Sequence, residues 1–520
     1  MLRKINQPIA YSRLAIVKPI CLCLLSAVLL ILSFPRCNIW VFSWFGFVPL
    51  LFAIRNKSKP KVFLLSYLTG VIFWSVTIYW LVHVTLPGTI ILILYLALYF
   101  GIFGLTYNLQ LTTYNFLTIP ALWVSLEYAR SHLLTGFPWA LLGYSQYLNL
   151  PVIQIADITG VWGVSFLVML VNVLIKQAIG DRLWVVGKRT KNIILLPILL
   201  LALSLGYGYY RLYLRPKTYD LRPIRVSVVQ GNIPQDLKWE PEAAAFIVEK
   251  YSQLSKEAAK DKPDLIIWPE ASSPGLFGED TLVFEDIFFL AKTIKSPLLI
   301  GSVSKKNEEY FNSALLIDSS GKITERYDKI HLVPFGEYIP LKKLFPFLKT
   351  LVPIGDIAAG EGYSVFKIPP QKLADSSIIL ASPNCAPPIQ NAFSVLICFE
   401  DLFPEISREF VKRGAGFLVN ITNDAWYKKT AAASQHFQAS VFRAVENRVF
   451  LARSANTGVS GFISPTGEII SLVEEKGGKD IFVDGFDTQE IISHKKNLTL
   501  YTKYGDVFPY ACLLLLLCAI

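Results

Sequence analysis

The first 219 residues of this chain contain three acidic side chains, Glu127, Asp157 and Asp181, against 18 Lys and Arg. Long apolar runs fill the space between the charges. A hydrocarbon core about 30 Å thick is crossed by roughly 20 apolar residues in a helix. Runs close to that length lie at 14–34, 38–54, 62–82, 89–109, 113–129, 158–175 and 193–212. An eighth, 507–520, would rise only about 21 Å and is short for a span. The full 520 residues carry a net charge of +11, but unevenly. Residues 1–219 hold 18 − 3 = +15, and the rest hold 50 − 18 = 32 basic and 39 − 3 = 36 acidic residues, or −4. The positive charge therefore sits between apolar runs. A nucleic-acid binder would need it on a soluble face, so that class of partner is excluded. A hydrophobic fraction of 53% excludes disordered and fibrous classes.

The basic clusters give an orientation. Arg3, Lys4, Arg13 and Lys18 precede the first run. Arg55, Lys57, Lys59 and Lys61 follow the second, and Lys176, Arg182, Lys188, Arg189 and Lys191 follow the sixth. All three face the cytoplasm by the positive-inside rule. Seven crossings then leave the following domain outside, and an eighth returns the chain. The first run lacks a small-x-small cleavage pattern and reads as an uncleaved helix. Arg36 in front of Cys37 argues against a lipid-attachment cysteine. The expected organisation is a multi-span α-helical bundle over 1–218, a globular domain over 219–503 and a terminal membrane segment over 504–520. The aromatic-rich stretch 127–157 reads either as a loop packed on the bundle or as an embedded wall of a lipid-entry site. In the second reading Arg130 and His132 meet lipid phosphate.

From Ile224 the pattern changes to short apolar strands, at 225–230, 264–268, 297–301, 313–317, 393–398, 416–421 and 449–454. A Ser-Ser-Gly turn at 319–321 leads into a further strand at 322–326. Helical stretches intervene at 242–260, 280–295, 404–413 and 434–448, which predicts an α/β layered domain. Only Cys385 and Cys398 of the seven cysteines fall here, and a disulfide between them stays open. His331 and His436 are too few and too separated for zinc, so no metal or other cofactor is expected.

Three segments place an ionisable residue directly after an apolar run: LIIWPE ending in Glu270, YDKIHLVPFGEYIP with Lys329 and Glu337, and VLICFED with Cys398. Together they form a chemical set. A thiol becomes a strong nucleophile once ionised. A carboxylate can take its proton. A fixed ammonium can stabilise both the thiolate and a tetrahedral oxyanion.

These three motifs resemble the carbon–nitrogen hydrolase (nitrilase) superfamily. Behind a multi-span bundle, the whole chain resembles the apolipoprotein N-acyltransferase family. Further matching motifs are TGFPWxxxGYSQ at 135–146, QGNIPQxxKW at 230–239, NITNDAW at 420–426, QHxxxxxxRAxENR at 435–448 and ARSANTGVSG at 452–461. The resemblance implies a nitrilase-like α-β-β-α sandwich beside the bundle. It implies Cys398 as nucleophile and thioester carrier, Glu270 as general base and Lys329 as oxyanion stabiliser, helped by the backbone N–H of Phe399. Glu337, Glu400 and Trp239 match supporting positions. Two positions depart from the pattern: Phe399 stands where Tyr is common, and Tyr427-Lys428 where Phe-Gly is usual.

What the resemblance implies for function is ping-pong acyl transfer from a membrane phospholipid to the diacylglyceryl-cysteine of a lipoprotein. The enzyme would be a monomer in the bacterial inner membrane, with its catalytic domain outside the cytoplasm. The alternative is a membrane-tethered amidase using water as acceptor. Phe335, Phe345 and Phe347, with the Leu-rich 341–352 segment, read either as an apolar arm over the site or as core, and lid motion of the loop at 341–363 stays open. Residues 374–391, with Cys385, read as an insertion.

Overall fold

The computed structural model describes residues 7–108, 115–180, 188–214, 223–338, 357–368, 391–475, 477–493 and 497–519. Cys385, most of the 374–391 stretch, Phe345 and Phe347 lie outside them. The chain divides into two compact units, Met1–Arg215 with Tyr504–Ile520, and Pro216–Lys503.

The first unit is helical. Among the described residues, four helices are long and apolar enough to cross a membrane: Lys59–Thr77, Leu86–Tyr107, Val161–Ile179 and Leu195–Leu214. The first two pack closely through small residues, as membrane helices do without a hydrophobic driving force. A Cβ on Gly104 would stand 2.8 Å from the Cβ of Ser66. The 38–54 run, expected as one span, is instead a 3-10 turn Trp40–Trp44 followed by the short helix Val48–Ala53. Irregular backbone at membrane depth survives only where other protein groups satisfy it. Here the Asn172 side chain accepts from the Phe47 N–H at 2.8 Å and donates to the Ser43 carbonyl at 2.8 Å, while Gln146 Nε2 donates to the Trp40 carbonyl at 3.1 Å. Two polar residues distant in sequence thus permit a break that hydropathy alone could not show.

The 127–157 stretch begins inside the helix Asn115–His132 and continues as a loop packed on the bundle, with Leu142–Gln146 buried throughout. Arg130 is not available to lipid phosphate. It is buried, donates to the carbonyls of Phe137 and Trp139 at 2.8 Å each, and lies 4.9 Å from the Trp74 ring centre. The terminal run forms the helix Val507–Leu517, which packs on Asn115–His132 with Tyr128 and Tyr510 hydroxyls 2.9 Å apart.

Among its described residues the second unit contains thirteen strands: β1 (Ile224–Gln230), β2 (Leu265–Ile267), β3 (Leu276–Phe277), β4 (Leu298–Lys306), β5 (Glu309–Ile317), β6 (Ile323–Asp328), β7 (Phe366–Lys367), β8 (Ala392–Ile397), β9 (Phe417–Thr422), β10 (Phe450–Ala455), β11 (Gly461–Ile463), β12 (Ile469–Leu472) and β13 (Gly485–Ile491). They form two sheets, ordered β13-β1-β2-β4-β5-β6, with β3 beside β4, and β12-β11-β10-β9-β8-β7. Helices Ala244–Ala258 and Thr281–Ile294 cover the first sheet through Ile247, Tyr251, Phe284, Ile287 and Leu290. Pro404–Lys412 and Ala432–Asn447 cover the second. The result is the expected α-β-β-α sandwich. Ser454 Oγ on β10 ties the sheets together by donating to the carbonyls of Val229 at 2.8 Å and Ile267 at 3.2 Å.

Strand β13 was absent from the sequence reading. Its residues GFDTQEI are half-buried and largely polar, so they carry no apolar run, yet they pair with β1 along its whole length.

Candidate active site

β2 and β4 are parallel, β5 is antiparallel to β4, and β6 is antiparallel to β5. β6 therefore runs with β2, and both end at the same edge of their sheet. Glu270 follows β2 through Trp268-Pro269, and Lys329 follows β6 immediately. Cys398 follows β8 of the other sheet, and Asn423 follows β9 parallel to it. Ionisable groups thus collect where strands end, which is where α/β folds place their sites.

Lys329 is 1% exposed. Its ammonium lies 3.0 and 2.9 Å from the two carboxylate oxygens of Glu337 and 3.9 Å from Glu270 Oε1. Burial works against its charge, but the carboxylates of Glu337 and Glu270 raise it above the ordinary lysine value. Asn312, on β5, donates through Nδ2 to Glu270 Oε1 at 2.7 Å and to Glu337 Oε1 at 2.8 Å. The second oxygen of Glu270 accepts the Asn423 N–H at 2.8 Å. Glu270 is thereby held from both sheets. Gly301 on β4 makes room for this segment, since a Cβ there would stand 2.6 Å from the Glu270 Cα.

Cys398 has φ +53°, a left-handed conformation that costs a non-glycine residue energy and turns the chain sharply. It opens the 3-10 turn Cys398–Leu402 and is a free, partly buried thiol. Burial pushes the thiol well up, Glu270 pushes the same way, and Lys329 opposes them.

Glu400 is buried and binds the Cys398–Leu402 turn to the segment around Lys329. Oε1 accepts from Tyr327 Oη and the Ile330 N–H at 2.8 Å, and from the His331 N–H at 3.2 Å, while Oε2 accepts from the Ile397 N–H at 2.8 Å. Burial raises its carboxyl to about 7 despite these donors. Phe399 is buried, with its ring 5.2 Å from that of Phe403. Trp239 is 49% exposed and, among the described residues, makes no hydrogen bond or ring contact. Its neighbour Lys238 turns inward instead, 4% exposed, and donates to the Glu270 carbonyl at 2.9 Å. No role was read for this lysine from the sequence, although the motif QGNIPQxxKW contains it.

A second cluster, also missed, adjoins the Cys398–Leu402 turn. His436 bridges Asp401 at 2.8 Å and Asp424 at 3.0 Å. Arg453 donates to Asp401 at 2.9 Å, to Asn420 Oδ1 at 2.7 Å and to Asp424 at 3.4 Å. Asn420 in turn donates to the Cys398 carbonyl at 3.2 Å. Burial opposes a charged His436, but Asp401 and Asp424 raise it to about 9. The motifs NITNDAW, QHxxxxxxRAxENR and ARSANTGVSG each supply one side of this lock. Tyr427, one of the two departures from the family pattern, ends the adjoining 3-10 turn Asp424–Tyr427. Burial, the Cys398 sulfur and the carboxylates of Asp424 and Glu270 all push its hydroxyl up, which puts that departure within electrostatic reach of the site.

Two family models match the chain: the apolipoprotein N-acyltransferase N-terminal domain over residues 26–174, and carbon-nitrogen hydrolase over residues 225–494. An apolipoprotein N-acyltransferase of Geobacter metallireducens is 38% identical over 513 residues, covering 94% of this chain and 92% of the relative. The chain belongs to the apolipoprotein N-acyltransferase family. A Pasteurella multocida member is 29% identical over 95% of this chain and 93% of its own. Among solved structures, a nitrilase-superfamily amidase from Nesterenkonia matches with TM-score 0.38 and 16% identity, over 55% of this chain and 96% of its own. Saccharomyces cerevisiae Nit3 matches with TM-score 0.38 and 17% identity, over 53% and 93%.

Proposed function

We propose that this membrane-embedded acyltransferase N-acylates lipoproteins in two steps through Cys398. Glu270 takes the thiol proton, and the sulfur attacks the sn-1 ester carbonyl of a membrane phospholipid. Lys329 and the Phe399 N–H stabilise the oxyanion. That N–H lies in the first turn of a 3-10 helix, where no intrahelical acceptor exists. The ester C–O bond breaks, lysophospholipid leaves with the proton returned by Glu270, and a thioester remains. The free α-amine of a diacylglyceryl-cysteine then attacks the thioester. Glu270 takes a proton from the amine, the C–S bond breaks, and an amide forms. Glu337 positions Lys329, and Glu400 holds the nucleophile turn against the lysine loop.

The observation that carries this reading is the convergence of Glu270, Lys329 and Cys398 at strand ends in a chain of this family. The basic clusters between apolar runs support an inner-membrane location with the catalytic unit outside. There both acyl donor and acceptor are anchored in the bilayer, and apolar surroundings keep water from the thioester.

The test is trapping. Purified enzyme given phospholipid labelled in its acyl chain should form a hydroxylamine-sensitive adduct on the Cys398 peptide, which chases into a diacylated lipopeptide. Cys398→Ala should form no adduct and no acylated peptide. Full activity in that variant would sink the mechanism. Release of free fatty acid without acylated peptide would favour water as acceptor.

A further inference from the structure

The charges around Cys398 do not balance without Lys238. Lys329 is the cation of the proposed triad, but Glu337 engages it with both oxygens and Glu270 lies beside it. Two carboxylates and one ammonium leave this group at −1, which disfavours ionising a thiol next to it. Lys238 supplies the missing charge. It sits in the 3-10 turn Leu237–Trp239 with 4% of its surface exposed, and its one hydrogen bond among the described residues goes to the Glu270 carbonyl. A buried ammonium has three donors and ordinarily takes a carboxylate partner. This one has no carboxylate within 4 Å among the described residues. Burial lowers its proton affinity to about 8, while Glu270 and Cys398 hold it up, so it senses both ends of the proton transfer.

We propose that Lys238 is a second cation of the active site, a positioning residue anchored on the Glu270 carbonyl that offsets the negative charge as Cys398 becomes a thiolate. In that step the proton leaves Sγ for the Glu270 carboxylate, and the negative charge moves from carboxylate to sulfur. Lys238 is anchored on the Glu270 backbone and both Glu270 and Cys398 act on its charge, whereas Lys329 also acts on Cys398 but shares its charge with both oxygens of Glu337. This inference rests on the reading of Cys398 as nucleophile and Glu270 as base. The other charged or titratable groups facing Cys398 are Lys329, Asp424 and Tyr427. All of them are retained in the test.

The experiment reads thiol ionisation directly. The full chain in detergent is alkylated with iodoacetamide from pH 6 to 10, and the rate is followed by mass spectrometry on the Cys398 peptide. Lys238→Gln keeps a donor for the Glu270 carbonyl but removes the charge. Its profile should move up by about one pH unit, with the rate at pH 7 lowered about tenfold. Lys238→Arg restores the charge and should return the profile to that of the wild type. Thermal unfolding confirms that each variant is folded, and Lys238→Met replaces the Gln variant if that one is not. A neutral variant that is folded and titrates like the wild type overturns the proposal, because the hydrogen bond alone would then account for Lys238. Cys398→Ala distinguishes the two levels. Activity surviving in that variant removes the nucleophile itself, whereas an unmoved alkylation profile with Cys398-dependent activity removes only the role of Lys238.

Discussion

Two charged clusters flank the nucleophile turn, and they are built to opposite ends. Asp401, Asp424, His436 and Arg453 form a neutral set, two carboxylates against two cations, with side chains 0–2% exposed. Glu270, Glu337 and Lys329 form an unbalanced set whose carboxylates keep 10–13% exposure while the lysine keeps 1%. The first has its charges paired and hydrogen-bonded, and a buried network satisfied in this way is rigid. The second places two partly exposed carboxylates beside a buried lysine. Under the proposed mechanism the difference separates holding from reacting: the sealed cluster fixes where Cys398 and the Asn423 N–H stand, and the open one moves the proton.

The comparison breaks most plainly at Glu270. Glu270→Gln keeps the side chain's shape and one of the two hydrogen bonds it accepts, from Asn312 or from the Asn423 N–H, but cannot take a proton. Lipopeptide acylation should fall by about 10²–10⁴-fold, with a drop in unfolding temperature no larger than the loss of one hydrogen bond explains. A matching loss of stability would make Glu270 part of the holding set.

Arg453→Met should do the reverse. It leaves Asp401 and Asp424 buried with His436 as the remaining cation, at a cost of about 3–5 kcal/mol in stability. The measurement is thermal unfolding in detergent, with Cys398 alkylation as a local probe. Unchanged stability with lost activity would move Arg453 into the reacting set.

His436 gives the smallest and most specific effect. Its folded proton affinity is raised from 6.5 to about 9, so its contribution is fully present below about pH 6.5 and is lost as pH rises through about 9. The stability gap between wild type and His436→Gln should therefore be widest near pH 6 and close by pH 10. A gap constant across that range would mean that His436 acts as a neutral spacer.

Much of the catalytic unit was legible because strand ends carry their chemistry in local order. Apolar runs closing on Glu270 and Cys398, and a polar strand closing on Lys329, announced strand position and marked these residues as candidates. The hydrogen bonds of Glu400 were not legible, since its four donors come from β8, β6 and the lysine loop. The bundle was harder. The 38–54 run has the hydropathy of a span, but Gln146 and Asn172, about a hundred residues away, let it break. Of the two readings of 127–157, the one that gave Arg130 to lipid phosphate fails, since Arg130 donates to two carbonyls of the loop that follows it.

The sequence by itself determined the two-part architecture and the strand-and-helix alternation, and it singled out Glu270, Lys329 and Cys398 as candidates. Each rests on a local pattern, such as hydropathy over about 20 residues or an ionisable group after an apolar strand. The tertiary structure decided which polar residues are spent on holding and which are left to react. Lys238 and Trp239 are adjacent, yet the ammonium is buried on the Glu270 carbonyl and the indole is half exposed. Neighbours on a tight turn face different ways, and which one faces the site depends on a carbonyl that arrives from another strand.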